Sequence, residues 1–292
     1  MPAERASPIR RRRLAAELRR LREHAGLTGD EAAEELSWSG SKISRIETHR
    51  IGVKQADLRK LFDLYQVDDD HREELLALLG ESATSSWLDS MIAGFPADYA
   101  TYLYAEAEAD AVWIWDPQIV PGLMQTDAYA RQVLSGYQAM FTLPPGDAER
   151  RIEIRGRRQT HLLDRNPPLT VSVVIDESTL YRRFGNNAVM REQLLRLEEF
   201  TTLPNVTLRV LPLAGTHPIG TGAFSYLQFD PVHDVPLADM VEVEHLTGAY
   251  YPEDEEQVFR YRVTFESLTA TAVDTDRSRA MISAAARTQW AS

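Results

Sequence analysis

"SWSGSKISRIETHR", residues 37–50, is too polar for a core strand and too short for a helix that stands alone. Ser39 is placed to cap a helix, and Ile43 and Ile46, three apart, share one face of it. That leaves Ser41, Lys42, Ser44, Arg45 and Thr48 on the opposite face. The flanking segments decide what such a face is for. Upstream, Thr28 followed by Glu31 has the spacing of a capping box, and Ala32, Ala33 and Leu36 form the inner face of a second short helix. Two alanines there let another helix cross closely. Further upstream, Leu14, Ala15, Leu18 and Leu21 recur at helical spacing, and the pattern stops at Gly26. Downstream, "KQADLRKLFDLYQV" predicts a fourth helix with Leu58, Leu61, Phe62 and Tyr65 inward, and "DDDHREELLALLGES" a fifth.

Two short helices joined by a tight turn, with small polar and basic side chains outward, suit reading of the DNA major groove. Arginine is fitted for paired hydrogen bonds to guanine. A merely solvated helical face is the competing reading of polarity alone. The net charge of −12 looks adverse to nucleic acid, but it is unevenly distributed. Residues 1–60 carry 14 Lys+Arg against 9 Asp+Glu, a net of +5, so that 61–292 carry −17. Charges farther apart than about 8 Å are largely screened at physiological salt, so the acidic remainder does not forbid a local phosphate contact. The arginines at 10–13 suggest an arm for phosphate or the minor groove, or else a solubilising tail.

"LRRLREHAGLTGDEAAEELSWSGSKISRIE" resembles the helix-turn-helix of lambda-repressor-like (Xre-type) regulators over about sixty residues. The resemblance implies packing of the two central helices around Ala33, Ile43 and Ile46, and an ion pair between Arg22 and Glu47. It places DNA contacts at Thr28, Gly29, Ser39, Gly40, Ser41, Lys42, Ser44, Arg45, Thr48 and Arg50. Two positions depart from the family pattern. Gly29 stands where a polar residue often touches phosphate, leaving only backbone N–H groups at that helix start; Ser37 stands where the turn usually has glycine, implying an altered turn.

Beyond the composition change at "ATSSW", the remainder predicts an α+β domain. The boundary is placed near residue 80, giving a helix-turn-helix domain at 1–80 and an effector, partner-binding or dimerisation domain at 81–292. The fold class expected is therefore an all-α N-terminal domain followed by an α+β C-terminal domain. Segment 86–116 reads as helix, proline break, helix and strand. Strands are expected at 169–175, 206–211, 223–229 and 240–244, and helices from Thr126, over 146–163, 190–202, 253–272 and 274–286. "WDPQIVPGLMQTDAYAR", "LPNVTLRVLP" and "EHLTGAYY" are similar to the C-terminal domain of antitoxin-like regulators from filamentous soil bacteria, which implies a small partner protein.

Enzymatic signatures are weak. The chain has no cysteine, and His161, His217, His233 and His245 lack a metal-ligand spacing. No G-x-S-x-G elbow frames a nucleophile, and Ser225 falls in an expected strand. "GTG" lacks the spacing of a nucleotide cradle, and Asp176 with Glu177 reads better as a helix-start pair than as an acid/base pair. An apolar pocket is conceivable around Tyr102, Tyr104, Trp113, Trp115 and Met124, with polar contacts from Glu106, Gln118 and Gln125. Aromatic core packing is the alternative. The stiff loop holding Pro121 and Gly122 could hold a ligand or simply turn a corner. Apolar runs are too short to span a bilayer. The expectation is a cytoplasmic, non-enzymatic, dimeric regulator of a double-stranded operator, with no cofactor or metal and no membrane contact. Its partner is a small cognate protein or a small-molecule effector; sequestration of that protein, or an enzymatic tail, is the alternative.

Overall fold

The computed structural model describes residues 7–80, 86–140, 146–232, 235–252 and 254–291. An all-α N-terminal region with a helix-turn-helix precedes an α+β region built on a six-stranded sheet. By compactness the chain divides into one unit of residues 1–108 with 229–238, and another of 109–228 with 239–292. The division follows spatial packing rather than the composition change near residue 80.

In the first unit, α1 (Pro8–His24), α2 (Gly29–Glu35), α3 (Gly40–Glu47), α4 (Gln55–Leu64) and α5 (Asp69–Ala77) surround one core. Leu18, Ala32, Ala33, Ile43, Ile46, Leu58, Phe62 and Leu75 are each at most 3% exposed within it. The two alanines bring α2 and α3 close, since neither adds side-chain bulk to the crossing. The N-terminal arginines are not an arm. They lie inside α1, which Ser7 caps by accepting from the N–H of Arg10. Arg13 is 3% exposed and donates to the carbonyls of Val235 and Asp230, while Arg10 donates to those of Ala77 and Gly80. Helical phase turns these two inward, and carbonyl oxygens supply acceptors that phosphate would otherwise offer. Glu17 is buried on the same helix, held by Arg20 at 2.6 Å and by Nε2 of His71 at 2.9 Å.

Between α5 and α6 (Ala97–Glu108), the first helix expected in segment 86–116 is only a 3-10 turn over Ser86–Leu88. Gly94 at φ +87° and Pro96 mark the break before α6.

The sheet runs β3-β2-β1-β4-β5-β6, with β1 (Ala111–Asp116), β2 (Thr170–Asp176) and β3 (Val206–Leu211) parallel. β4 (Phe224–Gln228), β5 (Met240–His245) and β6 (Gly248–Tyr250) continue antiparallel from β1. β6 escapes the sequence reading because three residues carry no resolvable alternation. α7 (Asp127–Met140), α8 (Asp147–Asp164) and α9 (Asn187–Phe200) lie between the parallel strands in sequence. α10 (Glu255–Thr271) and α11 (Thr275–Thr288) complete the chain; Glu253, the expected start of α10, lies outside the described residues. α10 covers the sheet face that carries Trp115, Val174, Phe224 and Tyr226 through Phe265 and Leu268. α11 packs on α9 and β3, and the Ser278 hydroxyl accepts from the N–H of Val210.

Candidate nucleic-acid interface

α3 is amphipathic because Ile43 and Ile46 are the only apolar positions of "GSKISRIE", and burying them fixes its rotation. Ser39, Ser41, Ser44, Arg45 and Thr48 are exposed as a result, with Arg50 in the turn that follows. Neither Arg45 nor Arg50 forms an ion pair among the described residues. Ser39 and Ser41 lie with their hydroxyls 3.0 Å apart, and Thr48 donates to the carbonyl of Ser44. Gly40 opens α3 against α2: a Cβ there would lie 2.5 Å from a carboxylate oxygen of Asp30. Lys42 differs from its neighbours. Its ammonium sits 3.0 Å from Asp57 of α4 and 3.4 Å from the ring centroid of Trp38, so it fastens α3 to α4 and to the turn.

At the start of α2 the capping box forms in full. Thr28 receives the N–H of Glu31, and the Glu31 carboxylate accepts both the N–H and the hydroxyl of Thr28 at 2.7 Å. These bonds, the backbone one first, hold the Glu31 carboxyl below its ordinary range. Two donors that a phosphate would use are therefore occupied from within. At Gly29 an added Cβ meets only Ile43, at an ordinary 4.0 Å, so the position is free to carry a side chain.

Arg22 and Glu47 tie α1 to α3 as the resemblance implies. Nε and Nη2 donate to the two carboxylate oxygens at 2.7 and 2.9 Å, and Nη1 donates to the carbonyl of Leu27. Both side chains are about a tenth exposed, and the pairing raises the Arg22 pKa further. Ser37 in the turn has φ +54°, the left-handed region in which glycine rests without strain. The missing glycine is thus a real departure in backbone energy. Lys54, exposed at the N-cap of α4, adds a cation near Arg50 in sequence that the reading above took for a helix start alone.

The candidate contacts of the second unit disperse. Trp113 is half-buried between Tyr226 and Phe265, stacked at 5.1 and 5.2 Å. Trp115 is buried and donates to the carbonyl of Thr221. Pro121 and Gln125 are buried, Gly122 is half-buried and packs near Arg155 and Arg158, and only Gln118 of the loop is exposed. Glu106 belongs to the first unit, wholly buried on α6, where it accepts from the Tyr102 hydroxyl at 2.7 Å. The loop is held from inside. Asp116 accepts from the N–H groups of Gln118 and Ile119, Gln125 donates to Val120, and Gln159 donates to the carbonyl of Gln125. Gln193, fully buried, accepts from Thr126 and donates to Met124. Burial pushes the Asp116 carboxyl up to about 6, against the two N–H donors that favour its charge. Nothing local in the sequence marks Gln159 or Gln193 for this task, since their partners lie 34 and 67 or more residues away.

Asp176 caps the turn after β2 and Glu177 accepts from the N–H of Leu213. His217 and His245 bond to Pro212 and Thr247, and His233 lies outside the described residues. Among the described residues no cluster of three carboxylates or histidines is spaced to hold a metal, and no helix is long and apolar enough to cross a membrane.

Within the N-terminal bundle of α1 to α5, α2 and α3 joined by a short turn form a helix-turn-helix, and a helix-turn-helix family model matches residues 13–75. A second model, described as a domain of unknown function (DUF5753), matches residues 99–284, and the chain belongs to that family. No curated protein and no solved structure matches it.

Proposed function

We propose that the protein is a cytoplasmic, sequence-specific transcriptional regulator of the lambda-repressor-like (Xre) type. The observation that carries this reading is the outward row on α3, where Ser41, Ser44 and Arg45 are exposed and Arg45 has no ion pair among the described residues. Arg45 is the base-reading residue, and Arg50 and Lys54 are positioned for phosphate. Lys42 acts indirectly, holding the helix at its angle through Asp57 and Trp38. The exposed carboxylates Asp30, Glu34 and Glu35 on α2 repel phosphate away from the productive register, which disfavours nonspecific binding.

One such head buries little DNA surface, so a homodimer on two half-sites about a helical turn apart supplies the rest. The C-terminal domain is read as a binding rather than a catalytic domain, taking a small protein or a small molecule. Its resemblance to the antitoxin-like regulators supports a protein partner, and sequestration of that partner is the second reading. Mapping the genomic DNA bound in cells, followed by sedimentation of the protein on the recovered site, tests the proposal. Discrete sites with two related half-sites bound by a dimer are expected. An absence of enriched sites would refute the regulator, and a monomer on DNA would refute the dimer.

A further inference from the structure

The sheet register places Trp113, Ser172 and Thr207 in one row across β1, β2 and β3, and Trp115, Val174 and Arg209 in the next row on the same face. α10 crosses this face, with Phe265 stacked on Trp113. Beside the helix, a cleft of about 370 Å³ remains, lined by Trp113, Ser172, Thr207, Arg209, Phe265 and Thr269 among others. Its size falls within the range of about 300 to 1,000 Å³ usual for small-molecule sites.

Two of the residues that line it carry a buried polar atom without a hydrogen-bond partner. Arg209 donates through Nη1 to the carbonyl of Thr269 at 3.1 Å, yet its Nε has no partner and no carboxylate pairs with it among the described residues. The Thr269 hydroxyl is also buried without a partner, whereas Thr264 and Thr271 of the same helix donate back to the carbonyls of Arg260 and Ser267. Glu266 at the rim is engaged by Arg262 at 3.1 Å. Arg209 thus lines the cleft as a cation without a carboxylate among the described residues, and an anionic acceptor is its missing complement.

We propose that this cleft binds a small amphipathic carboxylate, its apolar body beside Trp113 and its carboxylate on Arg209. A single guanidinium that shares the cleft with Glu266 in a strongly acidic domain favours a monoanion over a phosphate dianion. The inference rests on the reading of the C-terminal domain as a binding domain, and it assigns that domain a ligand class and a place.

The test is calorimetric titration of the full-length protein, without DNA, using 2-naphthoate and its neutral analogue 2-naphthamide as probes. The acid binds saturably and about tenfold or more tightly than the amide, and Arg209→Gln removes that preference. Ala270→Phe, at an exposed position on the mouth of the cleft, abolishes binding of both. If Arg209→Gln does not fold, the acid-to-amide ratio and the Ala270→Phe variant still decide. Failure of naphthoate to bind at millimolar concentration, equal binding of acid and amide, or full binding by Ala270→Phe overturns the proposal. The regulator reading fails separately, in a protein that binds the acid in this cleft but occupies no discrete DNA site.

Discussion

On α3 the polar side chains project into solvent and the backbone is held by two isoleucines; in the loop of residues 117–126 the polar groups turn inward and hold the backbone themselves. Ser44 and Arg45 are exposed, while Gln125 is 3% exposed and Gln193 wholly buried. Both segments combine polar side chains with a constrained chain, yet the first has a row of side chains free to meet a partner and the loop exposes Gln118 alone. Polarity marks an interface only where an independent apolar pattern fixes the backbone. Where that pattern is missing, polar groups are consumed in satisfying loop N–H and C=O groups.

The comparison can be strained by breaking what holds each segment. The largest effect is expected for Glu47→Ala, which leaves Arg22 nine-tenths buried without its carboxylate and costs about 3 kcal/mol of stability in urea unfolding. Next, Gln193→Leu strands the N–H of Thr126 and the carbonyl of Met124, at a cost of about 2 kcal/mol. Hydrogen exchange should quicken at Thr126 before it does in the strands. An unchanged rate there would mean that the loop is not pinned through Gln193.

Asp116 gives the loop a pH signature. Its folded pKa of about 6 lies above the ordinary 3.8, so the folded state keeps a proton that the unfolded chain releases. Stability from this group is full below pH 4 and falls as pH rises to about 6. Asp116→Asn keeps an oxygen for the two N–H groups and removes that loss. It should be more stable than the parent by about 1 to 2 kcal/mol at pH 8 and equal to it at pH 3 to 4. A difference independent of pH would contradict the assignment. The smallest change concerns the turn before α3, where Ser37→Gly relieves a left-handed φ of +54° and should gain roughly 0.5 to 1 kcal/mol in thermal melts.

These contrasts also set what was legible in the chain. Helix faces were, because burial repeats at fixed spacing: Ile43, Ile46, Ala32 and Ala33 fall inside as their periodicity requires. Strands β1 to β5 were, as short runs rich in β-branched or aromatic residues, to within a residue or two. The Arg22–Glu47 pair came from resemblance alone, since no spacing rule joins residues 25 apart. Arginines 10–13 misled because charge is a guide to exposure only when no acceptor lies opposite, and Arg13 meets two carbonyls contributed from beyond residue 229. Arg209 was invisible for the same reason. Within "TLRVL" it reads as an outward strand residue, and only the placement of α10 makes it a half-buried cation beside an empty volume.

The decisive measurement is the affinity of Arg45→Ala for the recovered operator and for an unrelated duplex at one salt concentration, with Lys42→Ala alongside. Arg45→Ala should lose about 1 to 3 kcal/mol on the operator, relax preference at one base pair and leave the unrelated duplex nearly unaffected. Lys42→Ala should lower thermal stability and change affinity for both duplexes alike. An Arg45→Ala protein that folds normally and binds the operator as tightly as the parent would contradict the assignment of α3 as the reading helix.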